Sequence, residues 1–203
     1  MKKLIVLLLC LGLAACAHAP QSIYMSPTPT QRQQTLSHLT AWRAQGSLSI
    51  VVNGQRHMMS FDWDQSANNL FNIRFSAFTY AVMLQNHYGV ITLTKPIQGI
   101  NPGLFQDLTR MQFWMLGVPV PASMRRGVLV TQYDQYGHLV MLQQNGCLIQ
   151  YQNYKVYSGW DMPTQVIISR QDARLRLVIN RWSFDAKQER AASNSNMLLL
   201  RSI

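Results

Sequence analysis

Ser47-Leu48-Ser49-Ile50-Val51-Val52-Asn53-Gly54-Gln55-Arg56-His57-Met58-Met59-Ser60-Phe61-Asp62-Trp63 is two apolar-rich runs joined by Asn-Gly. A tight hairpin turn needs positive φ at both central residues, and Asn and Gly tolerate it best, so this stretch reads as a β-hairpin. The same pattern recurs along the chain. Strands are expected at Ser47–Val52, His57–Trp63, Leu70–Phe75, Tyr80–Asn86, Val90–Thr94, Gly127–Tyr133, Leu139–Gln144, Leu148–Tyr154, Gln165–Arg170 and Arg174–Trp182. Turn signals such as Asn68-Asn69, Tyr88-Gly89, Gly137, Asn145-Gly146 and Gln171-Asp172 separate many of them. About ten strands with short links predict an antiparallel meander or barrel-like sheet, not βαβ units.

Two segments break the strand rhythm. Gln31 to Ala44 carries Leu36, Leu39 and Trp42 at spacings of three, the pattern of a short amphipathic helix. Leu104 to Leu116 is apolar around most of a helical circumference and stops at Gly117-Val118-Pro119-Val120-Pro121. There Gly permits a C-cap and Pro forbids continuation. A helix apolar all round must be buried, and in a curved sheet its natural place is across the open concave face. In the last strand Leu175, Leu177 and Ile179 fall on one side, with Arg174, Arg176 and Asn180 on the other. One face is therefore core and the other a basic, solvated surface.

Composition narrows the functional classes. The chain has 203 residues, 48% of them hydrophobic and only 13% charged, which excludes a disordered or rod-like solvated chain. Eighteen Lys and Arg stand against eight Asp and Glu, a net charge of +10 that points to anionic partners. Motifs for a P-loop, a His-Glu-x-x-His metal site, a nucleophile elbow and a dinucleotide-binding glycine fingerprint are absent. Asp62-Trp63-Asp64 puts two carboxylates on one strand face, which reads better as a solvated strand end than as an acid/base pair. Cys147 reads as a half-buried core thiol, and His87 and His138 as polar turn residues. The expectation is no catalysis, no metal, no cofactor and no nucleic-acid partner. Met58, Met59, Met83, Met111, Met115 and Met141 lie in apolar segments, where flexible side chains suit either core filling or variable apolar guests.

The N-terminus carries its own signal. Met1-Lys2-Lys3 precedes an apolar run from Leu4 to Leu13, too short to span a membrane. The run ends in Leu13-Ala14-Ala15-Cys16, which resembles the bacterial lipobox. That resemblance implies a signal peptide at 1–15 and acylation of Cys16. The Pro-, Ser-, Thr- and Gln-rich stretch at 16–35 reads as an extended tether. Loss of Lys2 and Lys3 would take the net charge from +10 to +8. By resemblance to lipoproteins of Gram-negative bacteria, Ala17 in place of Asp after the cysteine implies sorting to the outer membrane, lipid-anchored and facing the periplasm.

The body resembles the LolB family of outer-membrane lipoprotein receptors, over about Leu39 to Trp182. The matching pieces are Trp42-x-x-x-Gly46, Phe61-Asp62-Trp63, Phe113-Trp114-Met115-Leu116-Gly117-Val118-Pro119-Val120-Pro121, Gln144-Asn145-Gly146 with Tyr151-x-x-Tyr154, Met162-Pro163, and Arg174-Leu175-Arg176-Leu177 through Trp182. The resemblance implies a mainly β fold: a single antiparallel, unclosed half-barrel, its concave face covered by helices that enclose an apolar cavity. The domain would span 36–182, with 183–203 as a C-terminal extension. It further implies a monomeric receptor that takes acylated lipoprotein cargo from the periplasmic carrier LolA and inserts it into the inner leaflet of the outer membrane. A structural or other lipid-binding lipoprotein without transfer activity is the alternative. By resemblance, acyl chains would lie against Phe61, Trp63, Phe71, Ile73, Val82, Leu84, Phe113, Trp114 and Met115. A loop at Ala77, Phe78 and Thr79 would meet outer-membrane phospholipid. Phe78 also reads as ordinary core unless the chain turns there. The chain departs from the family in three further features. The loop lacks the usual Pro-Leu-Gly, the segment from Thr94 to Leu104 is short, and Cys147 stands where Trp is expected.

Overall fold

Alternation of buried and exposed residues runs through almost every strand, and it follows the side chains' period of two. The computed structural model describes residues 28–78, 80–95, 108–171 and 173–185. Its elements are α1 (Pro29–Ser37), β1 (Trp42–Val52), β2 (Gln55–Ala67), β3 (Leu70–Ala77), β4 (Tyr80–His87), β5 (Val90–Leu93), α2 (Leu108–Met115), a 3₁₀ turn (Ala122–Met124), β6 (Val130–Tyr133), β7 (Leu139–Gln144), β8 (Cys147–Tyr157), β9 (Trp160–Arg170) and β10 (Ala173–Phe184). The signal peptide, most of the tether and the tail beyond Asp185 lie outside the described residues.

All ten strands join one antiparallel sheet in the order β5-β4-β3-β2-β1-β10-β9-β8-β7-β6. Two five-stranded meanders are thus joined at a central seam where β1 pairs with β10, from Trp42 opposite Phe184 to Val52 opposite Ala173. The sheet is open: its edges are β5 and β6, each four residues long, and short edges give a neighbouring chain little to pair with. The link from β5 to β6 must travel from one edge to the other. α2, which lies between β5 and β6 in the chain, packs on the apolar side of the sheet.

The inner face holds a single core. Leu48 and Ile50 of β1, Phe61 and Trp63 of β2, Phe71 and Ile73 of β3, Ile149 of β8, Ile168 of β9 and Leu177 and Ile179 of β10 all contribute. Trp42 stands 5.4 Å from Trp63 and 5.3 Å from Trp182, ring centre to ring centre. Arg174 and Arg176 are exposed on the outer face, as their alternation predicts.

Gly46 sits where this seam is irregular. The register between β1 and β10 shifts between Gln45 and Gly46, leaving Asn180 as the extra residue on β10. A Cβ on Gly46 would lie 1.9 Å from the Val178 carbonyl oxygen. The bulge thus brings two backbones together where no side chain fits. Pro163 lies in β9 beyond the stretch paired with β10, where its missing N–H breaks no ladder bond on that side. Its carbonyl accepts instead from the Trp182 indole at 3.0 Å.

The structure corrects the sequence reading of the first helix. It spans Pro29–Ser37, not Gln31–Ala44, so it begins inside the expected tether. Thr28 and Gln31 form a reciprocal capping box, with Pro29 at the permissive first position. Trp42 opens β1 instead of ending a helix. Its spacing of three from Leu36 and Leu39 arises because all three side chains are buried in the same core. The last strand also runs two residues past Trp182, burying Phe184.

Candidate functional site: the inner face, its helix and the Phe78 tip

Six of the nine residues expected to meet acyl chains form one contiguous inner-face patch. Phe61 and Trp63 lie on β2, Phe71 and Ile73 on β3, and Val82 and Leu84 on β4, all buried. Register places Phe61 near Phe75, Trp63 opposite Ile73, and Ile73 opposite Leu84. Trp114 and Met115 of α2 are buried in the same core, and Phe113 packs half-buried against it. The structure therefore brings all nine together. They are packed closed: the gap beside Phe113, between Leu39, Trp42, Gln65 and Leu116, is only about 10 Å³. A larger hollow of about 580 Å³ lies on the outer face and is polar, lined by Gln45, Ser60, Asp62, Arg74 and Arg181 among others.

Three buried glutamines, of which the sequence reading named only Gln144 as part of a motif, fasten α2 across the sheet. The Trp63 indole donates to Gln65, and Gln65 donates to Gln112 of α2 at 2.8 Å. On the other half, Gln144 accepts from the Trp114 indole and from the Val120 amide, and donates back to the Val120 carbonyl. The signal was present: Gln65 and Gln144 occupy inward positions of an alternating strand, where a polar residue needs a buried partner. The C-terminus of α2 closes with the Val118 amide on the Phe113 carbonyl and the Gly117 amide on the Trp114 carbonyl. Gly117 there takes a positive φ of 72°, as its place before Pro119 predicts. Gln144→Ala removes the acceptor of a buried backbone amide and a buried indole. We expect it to cost about 2–4 kcal/mol, read as a fall in the urea midpoint.

Phe78 stands at the opposite extreme of exposure. Ala77 closes β3 and Tyr80 opens β4, and the two are paired. The connection is therefore a two-residue tip, Phe78 and Thr79. Phe78 is 105% exposed, more open than the reference state for a free residue. Ala77 is half-buried against the core, and Thr79 lies outside the described residues.

The polar groups have structural work. Asp62 takes a paired grip from Arg43, 2.7 Å from the Arg43 Nε, with Gln45 at 3.0 Å. The Arg43 bond holds its carboxyl below the usual carboxylate range. A depressed folded pKa adds stability above the unfolded value near 4, and that stability is lost as pH falls through the folded value. Asp62→Asn is therefore expected to cost under about 1 kcal/mol at pH 7 and nothing at about pH 2, compared by urea unfolding.

His138 exceeds the sequence reading of a simple turn residue. Its ring bridges Asp134 and Asp161 and stacks on Tyr154 at 4.3 Å. Arg32 of α1 joins the same cluster, bonded to the Asp161 carbonyl and lying over the Tyr154 ring. Burial lowers the Arg32 pKa from its usual value. This cluster docks α1 beside β6–β9. Cys147 is fully buried in the core.

The family model described as "Outer membrane lipoprotein LolB" matches residues 103–182, from just before α2 through most of β10. A protein of that name from Coxiella burnetii is 27% identical over 174 residues, covering 79% of this chain and 80% of its own length. Another, from Francisella tularensis subsp. novicida, is 26% identical over 198 residues, covering 88% and 92%. This chain is similar to LolB proteins over most of its length. A solved LolA superfamily protein from Nitrosomonas europaea aligns over 78% of this chain and 94% of its own, with 6% identity and a TM-score of 0.48. The segment that the LolB model matches holds α2, its Gly117 stop and Gln144, but not Phe78 or the β2–β4 patch.

Proposed function

We propose that this protein is an outer-membrane lipoprotein receptor, anchored through acylated Cys16 and facing the periplasm. It accepts acylated lipoproteins from the periplasmic carrier LolA and delivers them to the inner leaflet of the outer membrane. Similarity to LolB proteins supports this reading, and the full exposure of Phe78 is the observation that carries it. An aromatic side chain held in water at the tip of a rigid hairpin gains stability on entering a lipid interface.

Acyl chains enter by displacing α2 from the inner-face patch. The chains then replace the apolar contacts that Trp114 and Met115 make with the sheet. The glutamine bonds of Gln65, Gln112 and Gln144 hold this cover closed until the acyl chains compete for the patch. The handover makes and breaks no covalent bond, so the site has no need of a nucleophile, an acid/base pair or a metal. Direction comes from graded affinity alone.

Photocrosslinking tests the reading. A crosslinker placed at Phe113 or Leu84 is expected to capture an acylated lipoprotein presented by LolA, and not the same lipoprotein lacking its acyl chains. Capture of neither would support a structural lipoprotein without transfer activity.

A further inference from the structure

We infer that the end of the sheet bearing Phe78 is a docking face for anionic phospholipid, with arginines at head-group level around an apolar tip. The inference rests on the receptor reading and specifies the surface on which delivery occurs.

The antiparallel order puts the turns after β1, β3, β7 and β9 at one end of the sheet. Three exposed apolar side chains, Phe78, Met58 and Val128, lie there. Register carries Met58 level with position 78, since Ser60 pairs with Ser76, and Met58 is 67% exposed. Val128, also exposed, precedes β6 at the same end, close to the Asn145 turn, where the Asn145 side chain accepts from the Arg126 amide.

Basic residues reach this end from separate elements. Arg56 and Arg174 flank Val51 on the outer face, one from each strand beside β1. Arg125 and Arg126 follow the 3₁₀ turn, and Lys95 follows β5 next to the Phe78 hairpin. All five are exposed. The described carboxylates lie elsewhere. Asp134 and Asp161 belong to the His138 cluster at the other end, and Asp185 follows the far end of β10. Asp62 and Asp64 face Gln45 and Arg43, toward the start of β1. Asp172, between β9 and β10, lies outside the described residues.

A bilayer surface satisfies both halves of this pattern. Phe78 and Met58 reach the apolar boundary while the long basic side chains stay among phosphates. Each such cation near an anionic surface contributes about a five-fold gain in binding, and salt screens it. An acidic carrier protein would pair with the arginines, but it would leave the apolar tip needing a pocket of its own.

The test uses the acylated full chain with Met58→Cys, labelled there with an environment-sensitive dye, because Cys147 is buried. The protein is inserted into phosphatidylcholine vesicles with or without about one-third phosphatidylglycerol. The expected result is a blue shift on the anionic vesicles only, reversed by high salt. Arg56→Gln and Arg174→Gln should each lower the docked fraction about five-fold, and Arg181→Gln, away from this end, should leave it unchanged. An equal shift on neutral vesicles, or indifference to the Arg56 and Arg174 substitutions, overturns the inference. So does slowed cargo uptake from LolA with an unaltered dye shift, which would assign the arginines to a protein partner. Cargo uptake is measured in parallel. Uptake without any charge-dependent shift refutes this inference alone, whereas absent uptake refutes the receptor reading.

Discussion

Phe78→Glu is expected to leave the protein folded and to stop it delivering cargo to membranes. The side chain is fully exposed, so its loss removes no core contact and stability should change by less than about 0.5 kcal/mol. Membrane entry should suffer far more. Withdrawing a Phe from an apolar environment forfeits about 1.5–3 kcal/mol, and seating a carboxylate in its place adds a penalty of similar size. Together these lower the inserted population roughly 100-fold or more. Thermal melting and transfer of a labelled lipoprotein to vesicles read the two effects separately. A variant that melts normally and delivers at the parental rate would end the idea of a delivery tip. A variant that unfolds would show that Phe78 is held by the body after all.

The second large effect is structural and sits at Gly46. Even one added methyl group would collide with backbone atoms of Val178 and Ile179, which no rotamer change can move aside. Gly46→Ala must therefore part β1 from β10 at the centre of the sheet. The expected cost is about 3–5 kcal/mol, or roughly 6–20 °C in melting temperature for a chain of this size. Gln45→Ala, one residue away and facing the solvated outer side, serves as the control with a small effect. If the Gly46 variant melts within about 2 °C of the parent, the tight seam is not what Gly46 supports. The same geometry explains why Trp42-x-x-x-Gly46 reads as a motif. Trp42 packs on Trp63 and Trp182, and Gly46 lets the strand carrying Trp182 come close.

Much of this was legible in the sequence because it is local. Asn53-Gly54 and Asn145-Gly146 fixed two hairpins through the φ angles they allow, and alternation then assigned each strand an inner face. All ten expected strands exist, several longer than the apolar runs alone revealed. β1 begins at Trp42 because its first residues are polar or small on the solvated side, and β9 begins at Trp160 despite Pro163.

What escaped was non-local. Nothing near Trp42 announces Phe184 as its partner. The glutamine fastening of α2 requires β2, β7 and the helix to be in place at once. His138 looked like a turn residue because Asp161 and Arg32 are distant in sequence. Phe78 lay between two readings, and the β3–β4 turn decides for exposure. Alternation alone could not place that turn, because the apolar run continues through Tyr80 to Val82.

The central seam also bears on how the chain acquires its shape. Each five-stranded meander is built from neighbours in sequence, so each can collapse early with little loss of chain entropy. Joining β1 to β10 is different in kind, because it brings together the two ends of the body. Until β10 exists, β1 presents a bare edge with Trp42, Leu48 and Ile50 beside it. The slow and aggregation-exposed step of folding is therefore this last zipping, and the half made first must wait, unprotected, for the half made last.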